Sequence, residues 1–119
     1  MKTIIHVEDS LLIQSRVAHW IQALHNGAAI LSTDSLVGAE ELIAAHAPDL
    51  LVLDLHLPDG NALERIEFFK WMAPDMQIAV FSNDNSDFVR HICFERGADW
   101  VFDKSTDITK LIDVINLAH

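Results

Sequence analysis

The sequence predicts an α/β domain on a doubly wound, five-stranded parallel sheet. Three observations predict it. Short apolar runs alternate with segments of helical period along the whole chain. The helical segments carry capping residues at their starts and Gly or Pro near several of their ends. The central run, Leu50 to Leu53, is apolar at every position, as strands buried on both faces are. Alternating strands and helices imply right-handed crossovers with helices on both faces of the sheet. For five such units the common strand order is 2-1-3-4-5.

The elements follow in order. TIIHV, Thr3 to Val7, reads as the first strand. Ile13, Val17, Trp20, Ile21 and Leu24 then share one helical face. AAILS, Ala28 to Ser32, is the second strand. The helix in DSLVGAEELIAAHA starts from Asp34 or Ser35 as N-cap, with Pro48 beyond its end. DLLVLD, Asp49 to Asp54, is the third strand. Asn61 can cap a helix running to about Trp71, with Ala62, Ile66 and Phe69 inward, and Pro74 breaks the chain. QIAVFS, Gln77 to Ser82, is the fourth strand. SDFVRHICFERG is a helix with Val89, Ile92 and Cys93 inward and Gly97 at its stop. WVF, Trp100 to Phe102, is a short fifth strand. TDITKLIDVINLA closes the chain, with Ile108, Leu111, Ile112 and Ile115 on one face.

Composition bounds the function. At 119 residues, 50% hydrophobic, the chain reads as one domain spanning 1–119. It shows no repeat or linker. A single cysteine, Cys93, allows no internal disulfide, and a reducing cytoplasm is the expected setting. No signal peptide is expected, and no run approaches the ~20 apolar residues of a membrane helix. The net charge of −10 argues against direct nucleic-acid binding, which needs a basic face.

In such a sheet, residues just after the strands share one rim, and ligands bind there at the switch point. Glu8 and Asp9 follow the first strand, Asp54 ends the third, Ser82 ends the fourth and Lys104 follows the fifth. Alone, Asp54 would read as a plain carboxylate starting a turn, Ser82 as a turn cap and Lys104 as a surface lysine. Glu8 and Asp9 also suit a helix N-terminus. Together they describe something sharper. Three carboxylates repel one another, and a hard cation such as Mg²⁺ relieves this while keeping waters and a phosphate oxygen as further ligands. Lysine offers a compact charge to phosphate. Aspartate can act as a carboxylate nucleophile. The set is that of a site which receives a phosphoryl group.

On HVEDS, LVLDLHLPDG, AVFSND and GADWVFDKS, in this order, the chain resembles the receiver domain of two-component response regulators over its whole length. The resemblance implies the flavodoxin-like receiver fold. It implies that Asp54 takes phosphate from a histidine kinase or histidine phosphotransfer protein. Glu8, Asp9 and Asp54, joined by the backbone carbonyl of His56, would hold Mg²⁺, and Ser82 and Lys104 would contact the phosphoryl oxygens. The His56 side chain would line the entrance. The fourth helix, fifth strand and fifth helix would then reorganise to signal to a downstream effector protein. Three positions depart from the family pattern. Val101 stands where an aromatic switch residue is usual, flanked by Trp100 and Phe102, which a period-two strand turns to the other face. Asn83 follows the hydroxyl where a small residue is common, and Ser105 follows the lysine in place of proline. The signal is therefore expected to pass through the loop after Ser82 or through homodimer formation. Phe94 lies off the buried face of its helix and reads as partner surface or as an isolated exposed apolar residue.

A phosphorelay module, not an enzyme, is the expected function, whether a stand-alone adaptor or a receiver cut from a longer regulator. The alternatives are a phosphorylation-independent receiver-like interaction domain and an aspartyl-nucleophile hydrolase. The hydrolase reading lacks an Asp-x-Asp pair, because His56 stands two residues after Asp54. A nucleotide site lacks its Gly-rich loop after the first strand.

Overall fold

The computed structural model describes residues 2–24 and 27–117. The elements are β1 (Thr3–Val7), α1 (Leu11–Ala23), β2 (Ala29–Thr33), α2 (Leu36–His46) and β3 (Leu50–Leu53). Two-residue strands β4 (His56–Leu57) and β5 (Gly60–Asn61) follow, then a 3-10 turn at Ala62–Glu64 and α3 (Ile66–Met72). The chain continues through β6 (Gln77–Ser82), α4 (Asp87–Glu95), β7 (Trp100–Asp103) and α5 (Ile108–Leu117). Ala118, expected in the last helix, and the expected domain ends Met1 and His119 lie outside the described residues.

The main sheet is parallel throughout, in the order β2-β1-β3-β6-β7. With the short β4–β5 ribbon set aside, this is the 2-1-3-4-5 order expected from the sequence. Strand alternation divides the core in two. Ile5, Val7, Leu51, Leu53, Val80 and Val101 face α2, α3 and α4. Ile4, Leu50, Val52, Phe81 and Phe102 face α1 and α5. β3 is buried at all four positions, as its unbroken apolar run requires.

Helix starts follow local chemistry. Ser10, Ser35 and Ser86 cap α1, α2 and α4 by accepting from the N–H of Ile13, Gly38 and Val89. The Asp59 carboxylate also accepts from Leu36 and Val37 N–H at 2.9 and 3.1 Å. Those backbone bonds, from Leu36 first, hold its pKa below the usual carboxylate range. The loop after Asp54 is thereby tied to α2. Gly97, at φ +115°, lies just beyond α4 and takes a backbone conformation that side chains avoid.

Three expectations are corrected. Trp20 is 40% exposed, because Val17 and Ile21 fill the inward positions of α1. Ile92 is only half-buried and is not among the residues packed on the core, whereas Val89 packs against it as expected and Cys93 is the fully buried residue of α4. The helix expected from Asn61 is divided. Asn61 caps a 3-10 turn, and α3 begins only after Arg65.

Candidate functional site

Backbone pairing delivers the carboxylates to one level of the rim. Glu8 N–H donates to the Thr33 carbonyl at 2.9 Å, and Asp54 N–H donates to the Val7 carbonyl at 3.1 Å. The Glu8 and Asp54 side chains therefore leave adjacent strands together. Both are buried, while Asp9 is exposed. One carboxylate oxygen from each of the three lies within 4.8 Å of the others. The rim rule thus brought residues from distant parts of the chain together.

Lys104 comes down from the far side of the sheet. Its N–H donates to the Ser82 carbonyl at 3.3 Å, which fixes its backbone against the end of β6. Its Nζ lies 2.5 Å from Glu8 Oε1 and 2.8 Å from Asp54 Oδ2. One ammonium thus serves two buried carboxylates. Burial works against the charge on Lys104, but the hydrogen bonds and attraction of Asp54 and Glu8 outweigh it, so its pKa is raised. Burial also raises the pKa of Glu8, with the Lys104 ammonium and Ser10 N–H opposing it. The two directions agree physically, since one cation faces two carboxylates with a third beside them. The surplus negative charge suits a hard divalent cation, and Asp9 provides the open side of the cluster.

The other expected residues lie around this centre. Ser82 ends β6, is buried, and its Oγ accepts from Asp84 N–H at 3.2 Å. The exposed His56 side chain meets Asp84 at 2.7 Å. Ser105 donates from its hydroxyl to Asn83 Oδ1 at 3.0 Å, so two of the three departures from the family pattern contact each other. Val101 is buried towards α4, and Trp100 and Phe102 pack on the opposite face, as strand alternation demands. Val101 and Phe102 are thus enclosed, and of the three expected switch or partner residues only Phe94 is exposed.

Sequence reasoning missed His6. It is fully buried on the α1–α5 face of β1, and neither ring nitrogen has a hydrogen-bond partner among the described residues. Burial, then the nearby Lys104 charge, lowers its pKa to about 4, so the ring is neutral at pH 7. The signal was available, because a histidine inside a parallel strand has two buried faces around it. Also missed were Asn85, Arg90 and Asp103, which join the loop after Ser82 to β7.

Residues 4–116 match the response regulator receiver domain family. The chain is 28% identical over 116 residues to the DNA-binding transcriptional regulator NtrC of Azospirillum brasilense, covering 98% of this chain and 24% of that protein. It spans between 16% and 34% of the length of the curated relatives it matches. The signal receiver domain of a DNA-binding response regulator from Colwellia psychrerythraea 34H superposes with a TM-score of 0.91 at 18% identity, over 98% of this chain and 97% of that one. A response regulator from Burkholderia pseudomallei, solved with a phosphorylated aspartic acid, a calcium ion and citrate, gives a TM-score of 0.85 at 20% identity. That match covers 94% of this chain and 65% of the other.

Proposed function

Because the chain belongs to the response regulator receiver domain family, a class of phosphoryl-accepting signalling modules, we propose that Asp54 takes a phosphoryl group from a phosphohistidine in a Mg²⁺-dependent step. The observation that carries this reading is the Lys104 ammonium, held between Glu8 and Asp54 with Asp9 alongside. An Asp54 carboxylate oxygen attacks phosphorus. The new P–O bond forms as the donor's P–N bond breaks, and the imidazole leaves with the electron pair and takes up a proton. Lys104, already at the Asp54 oxygens, balances charge on the phosphoryl oxygens. Ser82 Oγ accepts from Asp84 N–H, which leaves its own O–H to donate to another phosphoryl oxygen. Glu8, Asp9 and Asp54, with the His56 carbonyl, would hold Mg²⁺, which supplies positive charge opposite the incoming group.

The chain is a signalling module, and in this reading it assists its own phosphorylation and dephosphorylation. The donor sits on a histidine kinase or histidine phosphotransfer protein. The output is a downstream effector protein met near α4, β7 and α5, or a second copy of the chain. The net charge of −10 favours protein partners over nucleic acid. No described helix is long and apolar enough to cross a membrane. The proposed compartment is the cytoplasm.

Incubation with a small acyl-phosphate donor and Mg²⁺ tests the assignment by intact mass. The protein should gain one phosphate, labile to hydroxylamine, and Asp54→Ala should gain none. An equal gain in the variant would defeat the assignment.

Metal binding has its own test. A cation that binds only the folded state stabilises it by RT ln(1 + [L]/Kd). With Kd assumed at roughly 1 mM and ~10 mM Mg²⁺, this is about 1.4 kcal/mol. The melting midpoint should rise by roughly 4–8 °C. Asp9→Asn weakens a ligand and removes one repulsion. It should melt slightly higher than wild type without metal, yet gain little from Mg²⁺. The four melts are run at fixed ionic strength so that general screening cancels. Equal responses of the two proteins would return Glu8 and Asp9 to the role of helix-terminus charges.

A further inference from the structure

Between the phosphoacceptor rim and α4 lies a chain of polar contacts that the phosphorylation chemistry does not use. Asn85 Nδ2 donates to the Ser82 carbonyl at 2.8 Å and to Asp103 Oδ2 at 3.0 Å. One side chain therefore clasps the ends of β6 and β7. The Asn85 carbonyl accepts from Arg90 Nε at 3.2 Å, and Arg90 Nη1 donates to the Val101 carbonyl at 3.0 Å. Asp103 continues the chain. Its carboxylate accepts from Ser105 N–H at 2.7 Å, and its own N–H donates to Asp107 Oδ2 at 2.8 Å, just before α5. Asn85, Arg90 and Asp103 are all half-buried, so these bonds are partly shielded from water.

The Val101 side chain on β7 offers no polar route of its own. Val101 is 5% exposed within the apolar core and is stiff at χ1. It has no polar tip to reach the loop. The Ser82 carbonyl also accepts from Lys104 N–H at 3.3 Å, so a movement of that carbonyl is felt both there and at the Asn85 side chain. That displacement pulls on Asp103 directly and on the Val101 carbonyl through Arg90.

We infer that Asn85 and Arg90 are positioning residues that carry a change at Ser82 to β7 and the start of α5 through this hydrogen-bonded linkage. The inference rests on the reading of Asp54 as phosphoacceptor and deepens it by naming how the site is read out. A linkage of discrete partners with two arrangements is the kind of element that couples distant groups.

The test uses beryllofluoride with Mg²⁺ as the phosphoryl mimic and follows backbone amide shifts. In wild type, the shifts should spread from Ser82–Asn85 to Val101, Asp103 and Asp107. In Asn85→Ala, the Ser82 and Asn83 amides should still respond. The combined shift at Val101, Asp103 and Asp107 should fall by about twofold or more. Arg90→Met keeps the apolar stem and should lose the Val101 response while retaining that of Asp103. Phosphate uptake by intact mass should be unchanged in both variants. If both variants respond like wild type along β7, the linkage is refuted and the phosphoacceptor reading stands. If wild type takes up neither phosphate nor the mimic, the reading and the linkage fall together.

Discussion

Lys104→Met should lower the stability of the metal-free protein by about 3 kcal/mol at neutral pH, and Mg²⁺ should restore much of the loss. The expectation follows from the position of one ammonium between two carboxylates. The Lys104, Glu8 and Asp54 side chains are 11%, 1% and 7% exposed, so solvent screens them weakly. Removing one partner of a buried ion pair leaves the other without compensation, which costs more than the pair itself contributes. Here the loss leaves two carboxylates, with Asp9 beside them. Methionine keeps the apolar stem, so packing changes little.

The variant should fall in melting midpoint by roughly 10 °C in a chelator. Its gain on adding Mg²⁺ should exceed that of wild type, because no ammonium competes for Glu8 and Asp54. Acid should also narrow the gap. Burial already raises the Glu8 pKa, and without Lys104 the main group opposing that rise is gone, so the penalty from Glu8 is full while it is ionised and fades as acid protonates it. The same variant should accept phosphate slowly and fail to bind a partner more tightly once phosphorylated. A Lys104→Met protein that melts like wild type in chelator would show that the ammonium is not balancing the pocket.

Much of this arrangement was legible in the sequence because it depends on strand ends. TIIHV and QIAVFS gave β1 and β6 to the residue, and the apolar LLVL run identified the central strand. Strand alternation then placed Val101 against Trp100 and Phe102 correctly. The convergence of Glu8, Asp9, Asp54 and Lys104 needed only the sheet order and the rim rule. What stayed hidden has no periodicity. The ribbon formed by His56–Leu57 and Gly60–Asn61 is two residues long on each side, too short for any alternation to register. The clasp of Asn85 on Ser82 and Asp103 depends on loop side chains whose composition reads only as a turn. The pairing of Ser105 with Asn83 joins two positions that looked, separately, like unrelated departures. Trp20 was misplaced because a helical stripe has edges, and periodicity alone does not say which residue lies on one.

His6 leads to the second large effect, on acid stability. His6 lies on β1 between Ser32 and Val52 in register, on the face that packs under α1 and α5. Its ring is fully buried, has no protein hydrogen-bond partner among the described residues, and has Lys104 as its nearby charge. A buried polar group without a partner costs about 1–3 kcal/mol. His6→Leu is close in volume and apolar, and it should therefore raise stability by about that amount at pH 7.5. The pH dependence is the sharper readout. The ring's pKa is 6.5 when exposed and about 4 in the fold, so the unfolded chain binds the proton first. The contribution of His6 to stability does not change with pH above about 6.5, and stability is lost progressively as pH falls towards 4. The full shift corresponds to about 3 kcal/mol, of which about 2 kcal/mol is lost by pH 5. Other histidines and the carboxylates titrate in the same range, but they are common to both proteins. The difference between wild type and His6→Leu isolates the one ring. Denaturant melts at pH 7.5 and pH 5, in chelator so that metal does not enter, should show the stability gap widening by about 2 kcal/mol at the lower pH. A gap that stays constant would mean that His6 is protonated in the fold as readily as in the unfolded chain, and that the ring is hydrated or paired in solution.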